Sequence, residues 1–155
     1  MHESAEDSLK HIDRACVRGC KKNSHGAVRF WTGYKLHLDV SDTGFPLSAF
    51  VSGANVHDSQ LAIPLEKMTE GKVFFCYRLM DAAYDSSVID SFSRSREHSP
   101  VIDPNNRGSE SRPPPSPAKK ERYKKRTEVE RVNSIFKDWL LPGKLCVKGT
   151  RKGII

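Results

Sequence analysis

Two acidic residues sit where a carboxylate could do chemistry. Asp81 closes the apolar run 73–80, and Glu130 lies inside a long helical pattern over roughly 118–140. Around Glu130 the spacing is Y-x2-R-x3-E-x6-K, given by Tyr123, Arg126, Glu130 and Lys137. At about 100° per residue these fall at roughly 0°, 300°, 340° and 320°, one stripe about 60° wide. Val129, Val132, Phe136 and Trp139 fall between roughly 160° and 240° on a separate apolar face. A carboxylate can hold a divalent cation, Arg can clamp a phosphate oxygen in a fork, and Lys supplies a point charge. An ordinary solvated helix with Glu–Lys pairs presents the same stripe, and geometry alone favours that plainer reading.

The elements that must position these residues follow from periodicity. Leu9, Ile12 and Cys16 suggest a first helix over 3–16, and the stretch 19–26 reads as a polar loop. Apolar and polar residues alternate over 34–40, the cluster Ser41-Asp42-Thr43-Gly44 turns, and Leu47, Ala49 and Val51 resume the alternation, which predicts a hairpin. Asp58 or Ser59 is expected to cap a helix to about Thr69, kinked or shortened by Pro64. A buried strand over 73–80 delivers Asp81. A helix over 86–96 buries Val88, Ile89 and Phe92, and 100–103 forms a short strand. The segment 107–118 holds Pro113, Pro114, Pro115 and Pro117 among Ser, Arg and Gly, and reads as a flexible insertion. The tail from Pro142, with Gly143, Gly149 and Gly153, has no assigned element.

Composition bounds the class. The chain has 155 residues, 37% hydrophobic and 29% charged, with net charge +7. That suits one domain with its own core. No apolar run is long enough for a transmembrane helix, and the polar, acidic start is unlike a signal peptide, so no membrane partner and a cytoplasmic, nucleoid-associated location are expected. Residues 107–155 carry 14 Lys and Arg against 5 Asp and Glu, whereas residues 1–106 carry 12 against 14. Such a basic third suits phosphate contacts, though a solvated helix face would look alike. Cys16, Cys20, Cys76 and Cys146 lack the paired spacing of a zinc site and read as free thiols. His37 reads as structural, His57 as a cap or packed loop residue, Asp85 as a helix cap, and Phe30, Trp31 and Tyr34 as core or hairpin packing.

Four ordered segments resemble insertion-sequence transposases of the DDE type. They are Gly33-Tyr34-Lys35-Leu36-His37-Leu38, Ala54-Asn55-Val56-His57-Asp58-Ser59, Met80-Asp81-Ala82-Ala83-Tyr84-Asp85, and the Tyr123, Arg126, Glu130, Lys137 stripe with Val129-Glu130-Arg131-Val132-Asn133. The resemblance implies an α/β fold, an RNase H-like mixed sheet flanked by helices, and makes 1–155 a partial DDE catalytic domain. It implies that Asp81 and Glu130 are the second and third catalytic acids and ligands of Mg²⁺ (or Mn²⁺). Tyr123, Arg126 and Lys137 then support them and contact DNA. The activity implied is DNA transposition, by cleavage and strand transfer at transposon ends and target. A second copy or a full-length transposase is the other expected partner.

The first acid of such a set ends a strand before the hairpin. Asp7 and Asp13 precede Tyr34, and neither follows an apolar strand pattern. The first strand and its Asp are therefore expected upstream of Met1, leaving a sheet that lacks its first strand and an inactive, truncated remnant. The alternative is a non-catalytic fragment that binds DNA or a transposase.

Overall fold

The computed structural model describes residues 4–22, 26–103 and 116–140, with residues 139 and 140 as backbone only. Most of the Pro-rich segment, Cys146 and the tail from Pro142 lie outside the described residues, as does the side chain of Trp139.

The N-terminal helix is shorter than its pattern suggests. α1 spans Ala5–Lys10, capped by Ser4, whose side chain accepts from the Asp7 N–H. Asp13 then diverts the chain: its carboxylate accepts from the Ala15 N–H at 2.8 Å, and its carbonyl accepts from Gly53 N at 2.8 Å. Leu9 and Ile12 still pack on the core, but Cys16 leads into a strand. β1 covers Val17–Lys22. The expected polar loop at 19–26 is thus half strand, because its partner β2, Val28–Val40, is far longer than the alternating heptad 34–40. Gly19 is required there: a Cβ would come within 2.8 Å of the Ala54 carbonyl carbon.

The hairpin of β2 with β3, Pro46–Gly53, forms as predicted. Its loop is closed by Ser41 N to Phe45 O at 2.8 Å, with Gly44 at φ +83°. A bulge at Asp39/Val40 ends the regular register. Two helical segments, 62–70 and 127–135, pack against β2, and most of its residues from 33 to 40 are half-buried or buried. His37 is buried, hydrogen-bonded to Ser52 Oγ at 2.8 Å, while Leu36 and Leu38 are half-buried.

A 3₁₀ turn, Asp58–Leu61, leads into α2, Ala62–Glu70. The cap of that turn is His57 rather than Asp58 or Ser59. Pro64 lies in the first turn of α2, where its missing N–H costs no intrahelical bond, so no kink is needed. β4 is only Tyr77–Met80; Phe74, within the expected strand, is 93% exposed. β4 pairs in parallel with β5, Ser99–Ile102, across α3, Ser87–Ser95. On α3 Ile89 is buried and Phe92 half-buried, but Val88 is 66% exposed, because one face of so short a helix reaches the core. The N-cap position is Ser86 rather than Asp85.

The C-terminal helical stretch begins at Pro117, one residue before the expected start, with Ser116 as cap. It is not one uniform helix. α4, Pro117–Tyr123, passes through a 3₁₀ turn, Lys124–Arg126, into α5, Thr127–Ile135, and ends in a π turn, Phe136–Leu140. Val132 is buried, and α5 packs on β2. The fold is mixed α/β: an antiparallel sheet ordered β1-β2-β3 and a parallel pair β4-β5, with helices against them.

The core forms two clusters, Phe50, Val56, Leu61 and Leu65, then Ala62, Met80 and Ile89. Between them lies a polar knot. Glu66 on α2 is fully buried, and its Oε2 accepts from Arg78 Nη1 and Ser93 Oγ, both at 2.8 Å. His98 Nδ1 lies 2.9 Å from Oε1. Removing one partner of such a pair strands a charge. Arg78→Met should therefore cost about 3–5 kcal/mol of stability. Arg94→Met, which breaks an exposed pair with Asp90, should cost under about 1 kcal/mol. Urea unfolding of both variants checks the contrast.

Candidate functional site

β2 and β4 face each other across an open groove of about 1900 Å³, closed on a third side by α4 and α5. Consecutive residues line it from both strands, 34–42 and 73–85, rather than alternate ones. A strand face exposes every second residue, so it is the two strand edges that look into the groove. Among the described residues no backbone hydrogen bond joins β2 to β4.

Asp81 follows β4, at the C-terminal end of a parallel pair, where open α/β sheets place their ligands. It is exposed, and its Oδ1 accepts from the Ala83 N–H at 2.9 Å, capping the 3₁₀ turn Ala82–Tyr84. Glu130 comes to the same groove from α5. Its Oε1 accepts from Arg126 Nη2 at 2.7 Å. The 3₁₀ turn brings Tyr123 and Arg126 into line, because three residues make a full turn there. The Arg126 guanidinium accordingly sits 5.6 Å from the Tyr123 ring centroid. Lys137 lines the groove beyond Glu130, with Arg122 and Lys125 on the α4 side. Arg122 also stacks 4.2 Å over Tyr77, tying α4 to β4.

The carboxylates near this centre act on its phenols. Burial raises the Tyr123 pKa; Asp103, Asp81 and Glu130 add to the rise while Arg126 opposes it. Tyr123, though not among the groove-lining residues, therefore shares one electrostatic environment with both predicted acids. Burial raises Tyr84 as well, with Asp58 and Asp81 next in effect. Three acids went unremarked as site candidates. Asp103 follows β5 as Asp81 follows β4, since Met80 pairs with Ile102. Asp39 and Asp58 also lie in the groove, each with one oxygen engaged: Thr69 Oγ1 donates to Asp39 Oδ2 at 2.7 Å, and Lys35 Nζ to Asp58 Oδ1 at 3.2 Å. The signal for Asp39 and Asp103 was an Asp near the end of a patterned strand.

Asp81 and Glu130 offer carboxylate oxygens, the donors that Mg²⁺ and Mn²⁺ take, and Mg²⁺ needs few from protein. Among the described residues no hydrogen bond engages Asp81 Oδ2 or Glu130 Oε2. The donor set therefore fits a hard cation. By spacing, the triad that comes within reach of one ion among the described residues is elsewhere: Glu66, Glu70 and His98, with ligand atoms within 4.8 Å of one another. Arg78 already neutralises Glu66 there, so that cluster is explained as the polar knot of the core. Cys16, Cys20 and Cys76 are free and exposed, as expected. Phe30 is on the hairpin but 55% exposed rather than packed.

Fold and groove together define a mixed α/β protein whose acidic centre is edged by cations. Its sequence matches the transposase DDE domain family over residues 5–152, and the chain belongs to that family. No curated protein and no solved structure matches it. Membership implies DNA as the partner and the use of a divalent metal. No helix among the described residues is long and apolar enough to cross a membrane.

His37 gives a pH test of the scaffold beneath the groove. Burial lowers its pKa below the usual 6.5, and Lys35 adds to this while Asp58 opposes it. A histidine with a depressed folded pKa contributes stability that is fully present above the unfolded value and is lost as pH falls through the folded one. Melting temperature should therefore drop as pH is lowered from 7 towards 5, and His37→Asn should show a shallower drop. Parallel profiles for the two proteins would contradict the assignment.

Proposed function

We propose that the groove is a DNA phosphodiester-transfer site in which Asp81 and Glu130 are the catalytic, metal-holding acids. The observation that carries this reading is their convergence from β4 and α5 on one groove, each with one carboxylate oxygen that takes no hydrogen bond among the described residues. A divalent cation bound there would supply Lewis-acid polarisation of a phosphoryl oxygen and an activated water or 3′-hydroxyl. Arg126 holds Glu130 in place and presents its remaining donors to a phosphate oxygen. Lys137 adds a mobile positive charge, and Tyr123, its phenol kept protonated by burial and nearby acids, can donate a hydrogen bond to the DNA backbone.

The arrangement we assign is RNase H-like, with a further strand lying between the edges of β2 and β4. Support for it is the pair of edges facing the groove, which such a strand would join into one mixed sheet. That strand is also where a third acid would come from. Asp39 and Asp58 each give one oxygen to Thr69 and Lys35, and Asp103 stands beside Asp81 at the end of the parallel pair, so no third acid is assigned among them. Two acids position metal and DNA less tightly than three, and loss of positioning removes much of a rate enhancement. With Asp81 and Glu130 as its two assigned acids, the chain is read as one that binds DNA and recruits a metal without strand-transfer turnover.

Manganese titration followed by electron paramagnetic resonance tests the metal assignment. Asp81→Asn and Glu130→Gln should each weaken Mn²⁺ binding at least about tenfold, while Glu70→Gln leaves it unchanged. Loss of binding in Glu70→Gln instead would move the ion to the Glu66, Glu70, His98 cluster and overturn the assignment. Strand transfer by the wild-type chain on plasmid DNA should be absent; robust activity would refute the two-acid reading.

A further inference from the structure

We infer that the β1–β2 ribbon is a second DNA contact, a clamp on duplex phosphates outside the acidic centre. This rests on DNA being the partner, and it uses residues to which that reading gave no role. From Arg14 to Leu38 the sequence carries six Lys and Arg and no Asp or Glu. Folding does not dilute that charge. Lys21 lies directly across from Arg29 in the antiparallel register, so the two cations share one face of the ribbon. Like charges directly opposed destabilise a strand pair. Among the described residues no carboxylate forms an ion pair with Arg18, Lys21, Lys22 or Arg29, so nothing there offsets the repulsion. An arriving polyanion would.

The two faces are built differently. Lys21, Arg29 and Trp31 from one face, and Lys22 from the other, line the groove that holds Asp81 and Glu130, so a DNA strand leaving the acids runs onto this ribbon. On the other face Arg18 stacks 4.4 Å over Phe30, whose ring is 55% exposed. A two-stranded ribbon is narrow enough for the major groove of B-DNA, and nearly all its outward groups are cationic or apolar. Cations of this kind contact phosphates and carry no sequence preference.

The test uses the full chain and a fluorescent duplex of arbitrary sequence, with binding followed by anisotropy between 50 and 200 mM salt. Each phosphate contact contributes a slope of about −0.9 to log K against log salt, so Lys21→Thr with Arg29→Thr should flatten the wild-type slope by about 2. The same double variant should melt no lower than wild type, and higher by about 1–3 °C, because the opposed charges are gone. The charge-keeping exchange Lys21→Arg with Arg29→Lys should retain the wild-type slope. An unchanged slope in the threonine variant, with wild type binding normally, overturns the ribbon clamp and leaves DNA binding by the groove intact. Loss of binding in the charge-keeping exchange also overturns it, since the effect would then be structural. Failure of the wild-type chain to bind duplex at any salt would refute the DNA-binding reading and the clamp together.

Discussion

Glu66 has no exposed surface, yet three elements reach it: Arg78 from β4, Ser93 from α3 and His98 from the start of β5. A buried carboxylate is tolerated only when its charge is met and its oxygens are occupied, and both conditions hold. The bonds fix β4 against α2 and α3, and Asp81 stands three residues beyond Arg78. Arg78 also faces Asp39 at 3.9 Å, so the same guanidinium spans the distance between the two sheets. His98 is held by a second route, stacked on Phe75 at 4.0 Å. The position of the proposed acid thus follows from an ionic knot rather than from backbone pairing with β2.

Charge is segregated around that frame. Acids gather at the strand ends, Asp81 and Asp103 in the parallel pair, with Asp58 nearby at the head of α2. Cations form the surrounding rim, from Arg122, Lys125, Arg126 and Lys137 on one side to Lys21 and Arg29 on the other. A polyanion would be drawn by the rim and held at the acids only where a cation screened them. Such a layout separates affinity from chemistry, since the basic groups need no metal to attract phosphate.

The hairpin, the β4-to-Asp81 delivery and the Tyr123–Arg126–Glu130 stripe were legible in sequence because each rests on local periodicity. Other features were not. Helix 5–10 stops early because Asp13 bonds across to Gly53, a contact 40 residues distant that no pattern encodes. β1 was hidden because Gly19, Cys20, Lys21 and Lys22 look like loop, although Gly19 is there to let Ala54 approach. The helical wheel did not foresee the 3₁₀ turn, which sets Arg126 in line with Tyr123 along the helix instead of about 60° round from it. Asp103 escaped notice because its neighbour in space, Asp81, is set by parallel pairing across α3.

The proposed chemistry depends on Asp81 and Glu130 sharing one metal. Iron-dependent radical footprinting addresses that directly: Fe²⁺ replaces Mg²⁺ at oxygen ligands and, with ascorbate and peroxide, cuts the backbone within reach of the ion. Cuts clustered near residues 81 and 130, suppressed by excess Mg²⁺, are the predicted result. Cuts confined to the neighbourhood of Glu66, Glu70 and His98, or no localised cutting, would contradict it.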